Sequence, residues 1–256
     1  MTAASTSHAF TPALCAGLLL MVASFVPAEV QAAHIRVAVA SNFASTLREL
    51  GRLFEQQHGH RVTLSSGSTG KHYAQIINGA PFDAFFAADS RRPQLLDQRK
   101  LIVEGSRFTY ALGKLALWSP NGGDAQKMLR TAAFQRLAIA NPRLAPYGQA
   151  AQETLQHLGV WRGLRGKLVR GENIGQTYHF VHSGSAQLGL VALSQLRDPE
   201  KPAMGSVWLV PQDHYARIEQ QAVQLSNSKA TQAFMDFMKS PQSLAIIERY
   251  GYGKME

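Results

Sequence analysis

Between Arg61 and Ile77 the chain runs from an apolar alternation, Arg61-Val62-Thr63-Leu64, into Ser65-Ser66-Gly67-Ser68-Thr69-Gly70. It continues as Lys71-His72-Tyr73-Ala74-Gln75-Ile76-Ile77, with Tyr73, Ile76 and Ile77 at helical spacing. A strand, a turn rich in hydroxyls and glycine, and a helix start, in that order, set side-chain O–H groups beside the unpaired N–H groups of a first helical turn. Both face the positive end of the helix dipole, which makes a cradle for an anion. A single turn of this kind is equally an ordinary surface turn with an N-cap. Its recurrence along the chain gives it weight.

Three further junctions have the same character. Ile35-Arg36-Val37-Ala38-Val39-Ala40 alternates as a strand and stops at Ser41-Asn42, after which Phe43, Leu47, Leu50 and Phe54 fall on one helical face running to about His58. Ser and Asn are favoured N-caps, so hydroxyl and amide groups again meet a helix start. Leu137-Ala138-Ile139-Ala140 is a short strand ended by Asn141-Pro142. The loop Arg143 to Gly148 then enters a helix carrying Ala151, Leu155 and Leu158. Pro146 suits the first position of that helix, and Tyr147 stands beside a third set of free N–H groups. Lys167 to Arg170 forms the strand of the fourth junction, with Asn173 as the cap of a helix that begins around Ile174.

Four junctions supplying Ser, Thr, Asn, Tyr and Gly point to one site at the carboxyl ends of the strands, where open α/β sheets bind ligands. The donors are neutral, and a tetrahedral oxyanion can be held by them without a salt bridge. Roughly five to seven such bonds, each about 1.5–3 kcal/mol against a charged acceptor, reach submicromolar affinity after the costs of binding. Apart from Glu172 no carboxylate falls within the junctions. A donor-only cage leaves the O–H of hydrogen phosphate without an acceptor, so the chemistry favours sulfate-like or molybdate-like dianions.

Catalytic readings find less support. Gly67-Ser68-Thr69-Gly70-Lys71 lacks the first glycine of a phosphate-binding loop, which would fall on Ser65, and His72 replaces the hydroxyl that would bind magnesium. His179 and His182 are spaced for one helix face but have no third metal ligand at a usual spacing. Ser183-Gly184-Ser185 lacks the frame of a nucleophile elbow. The expectation is a binding protein, with no cofactor and no bound metal ion beyond the ligand.

Leu14 to Val26 is an apolar run too short to span a membrane, leading through Pro27 to Val30-Gln31-Ala32-Ala33. Residues 1–33 are expected to be a cleaved secretory leader and the mature protein to be periplasmic. The single cysteine, Cys15, lies inside that run, so the mature chain has no disulfide. The net charge is +9, and every Lys and Arg follows residue 33. They are scattered, which suits a general field that speeds encounter with anions rather than a stripe for nucleic acid. A monomer is expected.

Positioning these junctions requires two lobes. Phe82 to Ala88 suits a buried central strand, with Asp89 capping the helix that follows. Phe108 to Trp118 is extended with a mid-course Gly113, as a segment crossing between lobes would be. Leu188 to Leu193 is a buried strand, Val207 to Val210 reads as the return strand, and Gln221 to Leu225 can pair in the first lobe. The final helices carry Phe234, Phe237, Met238, Ile246 and Ile247. The boundaries are 34–112 with 208–256 for the first lobe and 113–207 for the second.

Several blocks together resemble the periplasmic molybdate-binding protein family of the ABC-type molybdate importers. They are Val39-Ala40-Ser41-Asn42-Phe43, Ser65 to Gly70, Tyr73 to Ile76, Asn78-Gly79-Ala80-Pro81, Phe85 to Asp89, Ser106 to Ala111, Asn141-Pro142 with Ala145 to Gly148, and Arg249 to Tyr252. The resemblance implies a type II periplasmic binding protein: two α/β lobes with parallel-type sheets, joined by two crossover strands and closing on molybdate or tungstate for delivery to an ABC permease. It implies side-chain and backbone donors from Ser41 and Asn42, Thr69 with Ser68 from the second helix start, Tyr147 from the third, and the N–H of Ile174 from the fourth. Thr69 replaces a serine of some relatives. Others take a tyrosine from the strand near Val191-Ala192, a role assigned here to Tyr147. The competing expectations are a sulfate or thiosulfate receptor and, from another class, an exported phosphotransfer or hydrolytic enzyme.

Overall fold

The computed structural model describes residues 1–6 and 32–254. Most of the expected leader, Cys15 included, lies outside the described residues. Among those described, no helix is long and apolar enough to cross a membrane.

The chain opens with β1 (His34–Ala40), α1 (Ala44–His58), β2 (Arg61–Gly67), α2 (Thr69–Ile77), β3 (Ala84–Phe86) and α3 (Arg91–Gln98). The long extended stretch divides at Lys114 into β4 (Phe108–Gly113) and β5 (Leu115–Ser119). Next come α4 (Ala125–Thr131), β6 (Leu137–Ala140), α5 (Pro146–His157), β7 (Leu168–Gly171), α6 (Ile174–His182), β8 (Leu188–Ala192), α7 (Leu193–Leu196) and β9 (Ser206–Leu209). β10 (Ile218–Gln224), α8 (Lys229–Phe237) and α9 (Pro241–Arg249) complete the chain.

The strands build two five-stranded sheets, ordered β2-β1-β3-β10-β4 and β7-β6-β8-β5-β9. Three strands in each, β2-β1-β3 and β7-β6-β8, are parallel neighbours joined through helical crossovers. Both sheets are nevertheless mixed, which amends the expectation of parallel pairing. β10 lies antiparallel between β3 and β4, and β5 lies antiparallel between β8 and β9. Each reversed strand arrives directly from the other sheet, without the crossover helix that turns a chain back for parallel pairing.

The return to the first sheet also comes later than the sequence suggested. Ser206–Leu209 pairs with β5 at the edge of the second sheet, and β10 makes the crossing. The two-residue alternation of Val207 to Val210 marks a half-buried strand but carries no information about its partner.

The apolar faces are covered as the periodicities require. Val37 and Val39 of β1 pack with Phe43, Leu47, Leu50 and Phe54 against the C-terminal helices, where Phe54 meets Phe234 edge-on at 5.0 Å. The opposite face, with Ala38, Phe85 and Val223, is closed by Ile76 and Leu96. In the second sheet Leu137 and Ile139 pack with Leu129 and Leu155 on one side, and Ala138 and Val191 with Val181 on the other. Each large side chain buried in this way contributes about 1.5–3 kcal/mol. These layers fix the carboxyl ends of β1, β2, β6 and β7, where the four junctions sit.

Candidate oxyanion site

The four helix starts meet. One small cavity of about 10 Å3 is lined by Ala40, Ser41, Asn42, Gly67, Ser68, Thr69, Ala88, Ala145, Pro146, Tyr147, Asn173 and Ile174. All six residues expected from the sequence, Ser41, Asn42, Ser68, Thr69, Tyr147 and Ile174, are among them. A space of this size holds about one water molecule as the protein stands and excludes a sugar or an amino acid. No Lys, Arg, His, Asp or Glu lines it. Glu172, the one carboxylate in the junctions, pairs with Lys71 and lines an adjoining groove between α1 and α6 that shares Ser41, Asn42 and Asn173 with the cavity.

The backbone supplies most of the donors. Among the described residues, the N–H groups of Asn42, Ser68, Thr69, Tyr147 and Ile174 make no internal hydrogen bond. Three of them open a helix, where such groups have no intrahelical partner. Ser68 caps α2 through the Lys71 N–H at 3.4 Å, and Thr69 Oγ1 accepts from the Ala88 N–H at 3.1 Å. Both hydroxyls therefore keep a proton to donate. Asn173 caps α6 as expected, accepting from the Gln176 N–H at 2.9 Å.

Three residues act differently from their sequence reading. Ser41 and Asn42 do not cap α1, which begins at Ala44 behind Phe43. The Ser41 N–H continues the sheet by donating to Gly67 O at 2.9 Å. Its hydroxyl crosses to the other sheet instead, accepting from the Gly175 N–H at 3.0 Å and donating to Asn173 Oδ1 at 3.2 Å. The Asn42 amide gives its protons to Gln220 Oε1 at 2.8 Å and Tyr252 OH at 3.1 Å. Its Oδ1 is buried and has no partner among the described residues.

Tyr147 is the third. Its hydroxyl accepts from Gln220 Nε2 at 3.3 Å and lies against Gly113, and neither of those residues lines the cavity. The Tyr147 N–H is left without an internal partner, and the phenol faces the crossing strands. The reason is steric: a side chain at the second position of α5 points back toward the strand ends beneath it. Burial pushes the pKa values of Tyr147, Tyr110 and Tyr252 upward, so these phenols stay neutral.

Contacts between the sheets ring the cavity. The Gly70 N–H donates to Leu144 O at 2.9 Å, Ser194 Oγ to Asn42 O at 3.0 Å, and Arg92 Nη2 to Arg143 O at 3.3 Å. Sequence reading missed Gln220, Tyr252 and Ser194, which support the site without lining it. Their separation from Asn42 in the chain left no local pattern to find.

His72 lies beneath the second helix start, bonded through Nδ1 to Gln75 Oε1 at 3.0 Å and packed edge-on to Phe82 and Phe85. Burial pushes its pKa down from 6.5, against the opposing pull of the Gln75 bond. The unfolded chain binds a proton near pH 6.5 that the folded protein refuses, so this part of the stability is present above that pH and is lost as the pH falls. The urea midpoint is expected to fall as the pH drops below about 6.5, and His72→Leu to flatten that slope. An unchanged slope in the variant would show that other groups cause it.

Among the described residues, no three His, Cys, Asp or Glu side chains are grouped to hold a metal ion. His182 instead stacks on Trp118 and Tyr178.

Comparison with known proteins agrees with this architecture. Residues 35–253 match the model of the family described as bacterial extracellular solute-binding protein. The molybdate-binding protein ModA of Azotobacter vinelandii is 46% identical over 247 residues, covering 94% of this chain and 95% of that one. The ModA of Rhodobacter capsulatus is 44% identical over 227 residues, covering 86% and 88%. The solved structure of the Azotobacter vinelandii periplasmic molybdate-binding protein superposes with a TM-score of 0.82 at 41% identity, covering 87% of this chain and 100% of that one. These relatives are solute-binding proteins rather than enzymes. The chain therefore belongs to the bacterial extracellular solute-binding proteins and, within them, to the ModA family.

Proposed function

We propose that this protein is a periplasmic receptor that captures molybdate, and tungstate by the same geometry, between two lobes and delivers it to an ABC permease. The lobes are carried by the two sheets. The ligand groups are the N–H donors of Asn42, Ser68, Thr69, Tyr147 and Ile174 with the hydroxyls of Ser68 and Thr69, joined by that of Ser41 when it gives up its bond to Asn173 Oδ1. The observation that carries the reading is the convergence of these uncharged donors on one cavity with no ionisable carboxylate or cation in its lining. Four helix N-termini add their dipoles, so a dianion is stabilised without a counter-charge. The ModA relatives support the choice of molybdate. A leader removed during export and a monomeric receptor complete the proposal.

Isothermal titration with molybdate, tungstate, sulfate and phosphate tests it. Submicromolar binding of the first two with weak binding of phosphate is expected, and no heat with molybdate or tungstate overturns it. Tight sulfate binding alone would make the protein a sulfate receptor on the same donor chemistry.

A pair of variants separates the donors. Thr69→Val keeps the shape and removes a hydroxyl, and is expected to weaken molybdate binding about 10- to 100-fold. Tyr147→Phe keeps its N–H and is expected to change affinity less than about threefold. The opposite order would return the phenol to the ligand shell.

A further inference from the structure

The cavity itself is lined by no charged side chain, so the field inside it is set by the charges just beyond its lining. Two carboxylates are chain neighbours of lining residues: Asp89 follows Ala88, and Glu172 precedes Asn173. Each is paired with a cation. Asp89 pairs with Arg92 one helical turn away, and Glu172 pairs with Lys71, which belongs to the other sheet's half of the molecule. Lys71 stands on α2, two residues after the lining residue Thr69. Adjacent Cα atoms are about 3.8 Å apart, which puts the Glu172 carboxylate on the order of 10 Å from an anion held in the cavity.

The place of Glu172 makes its charge matter. Its N–H donates to Gln176 Oε1 at 2.7 Å, which fixes its backbone at the start of α6. The positive end of that helix attracts any nearby carboxylate, and the unpartnered Ile174 N–H is one of the donors assigned to the ligand. Without Lys71, Glu172 opposes a dianion in two ways. Its charge repels the ligand, and its oxygens compete for the same helix start. The other carboxylate of the adjoining groove, Asp198, accepts from the Glu200 N–H at 3.0 Å and has no cavity-lining chain neighbour.

Holding the two halves together is a poor account of this pair. Both side chains are about half exposed, and exposed ion pairs add little to stability. The Gly70 N–H on Leu144 O and the Gly175 N–H on Ser41 Oγ already bridge the sheets beside it.

We propose that Lys71 is a positioning residue for dianion binding: it holds the Glu172 carboxylate off the start of α6 and cancels its charge, so that the acidic group beside the cage does not oppose the ligand. This rests on the reading of the cavity as an oxyanion site.

The test uses Lys71→Gln, Glu172→Gln, the two together, and Lys71→Arg in the mature protein, titrated with molybdate by calorimetry at ionic strengths of about 0.01 M and about 0.5 M, where the screening lengths are roughly 30 Å and 4 Å. Circular dichroism establishes folding, which substitutions of half-exposed side chains leave intact. At the lower ionic strength Lys71→Gln is expected to bind about three- to tenfold more weakly than the unsubstituted protein and Glu172→Gln no more weakly. The double variant and Lys71→Arg are expected to return to within about twofold, and at the higher ionic strength the loss in Lys71→Gln to shrink below about twofold.

A loss in Lys71→Gln that adding Glu172→Gln does not reverse overturns the role of Lys71, as does a loss that salt does not diminish or no loss at all. Equal weakening by the two single substitutions overturns it in favour of a tie between the halves. In each of these outcomes the unsubstituted protein still binds molybdate and the site stands. Absence of that binding overturns the site itself and this role with it.

Discussion

Asn42→Asp is expected to abolish molybdate binding, with affinity at least 1000-fold below that of the unsubstituted protein. The substitution is nearly isosteric, so shape is preserved and the change is electrostatic. Asn42 lines the cavity, is buried, and has no cation among its neighbours there. At an effective dielectric of about 20, a unit charge about 5 Å from a dianion raises the free energy by roughly 6–7 kcal/mol. That penalty exceeds the contribution of any one donor in the cage, about 1.5–3 kcal/mol. Asn42→Ser serves as the neutral control, since it loses the amide without adding charge, and is expected to fall by a smaller factor. Titration calorimetry on both, with circular dichroism to establish folding, decides the matter. Equal losses in the two variants would mean that charge exclusion does not govern this site.

The second large effect is expected from Gly148→Ala. Gly148 follows Tyr147 at the start of α5, where the helix leans on the end of β6. A Cβ there would stand 2.4 Å from Ala140 O and 2.7 Å from the carbonyl carbons of Ala140 and Asn141. All three are backbone atoms, so no side-chain rotation relieves the clash and the helix start must move off the strand. Overpacking of this kind costs about 3 kcal/mol, which lowers the melting temperature by roughly 6–12 °C in a chain of this size. The same displacement withdraws the Tyr147 N–H from the cavity, so molybdate affinity is expected to fall more than about tenfold in protein that remains folded. Thermal unfolding and calorimetry at a temperature well below the transition measure the two effects separately. A variant with unaltered melting and affinity would show that the β6–α5 contact is looser than the distances state.

Much of the site was legible because its parts are local. Ser68 before a helical run, Pro146 at a first helical position and Asn173 before Ile174 are each recognisable from a handful of neighbouring residues, and each stands where the sequence placed it. The backbone N–H groups of Thr69, Tyr147 and Ile174 are free for the same local reason, since a helix start cannot satisfy its own first donors. Ser41 shows the limit. Its type suggested a cap for the helix that follows, but its hydroxyl bonds to the start of α6, far along the chain. Tyr147 shows it again: it lines the cavity, but its phenol bonds to Gln220 on a distant strand.

The sequence by itself determined the order of strands and helices and four strand-to-helix junctions rich in hydroxyl and amide groups, with Glu172 the one carboxylate within them. These follow from periodicity and capping, which act over a few residues. Tertiary structure alone decided that both sheets carry a reversed strand, that β9 belongs to the second sheet, and that the side chains of Asn42 and Tyr147 turn toward Gln220. Those outcomes depend on which distant groups become neighbours when the apolar faces close. A buried amide or phenol takes the partner that packing brings within reach, and nothing in its own stretch of chain names that partner.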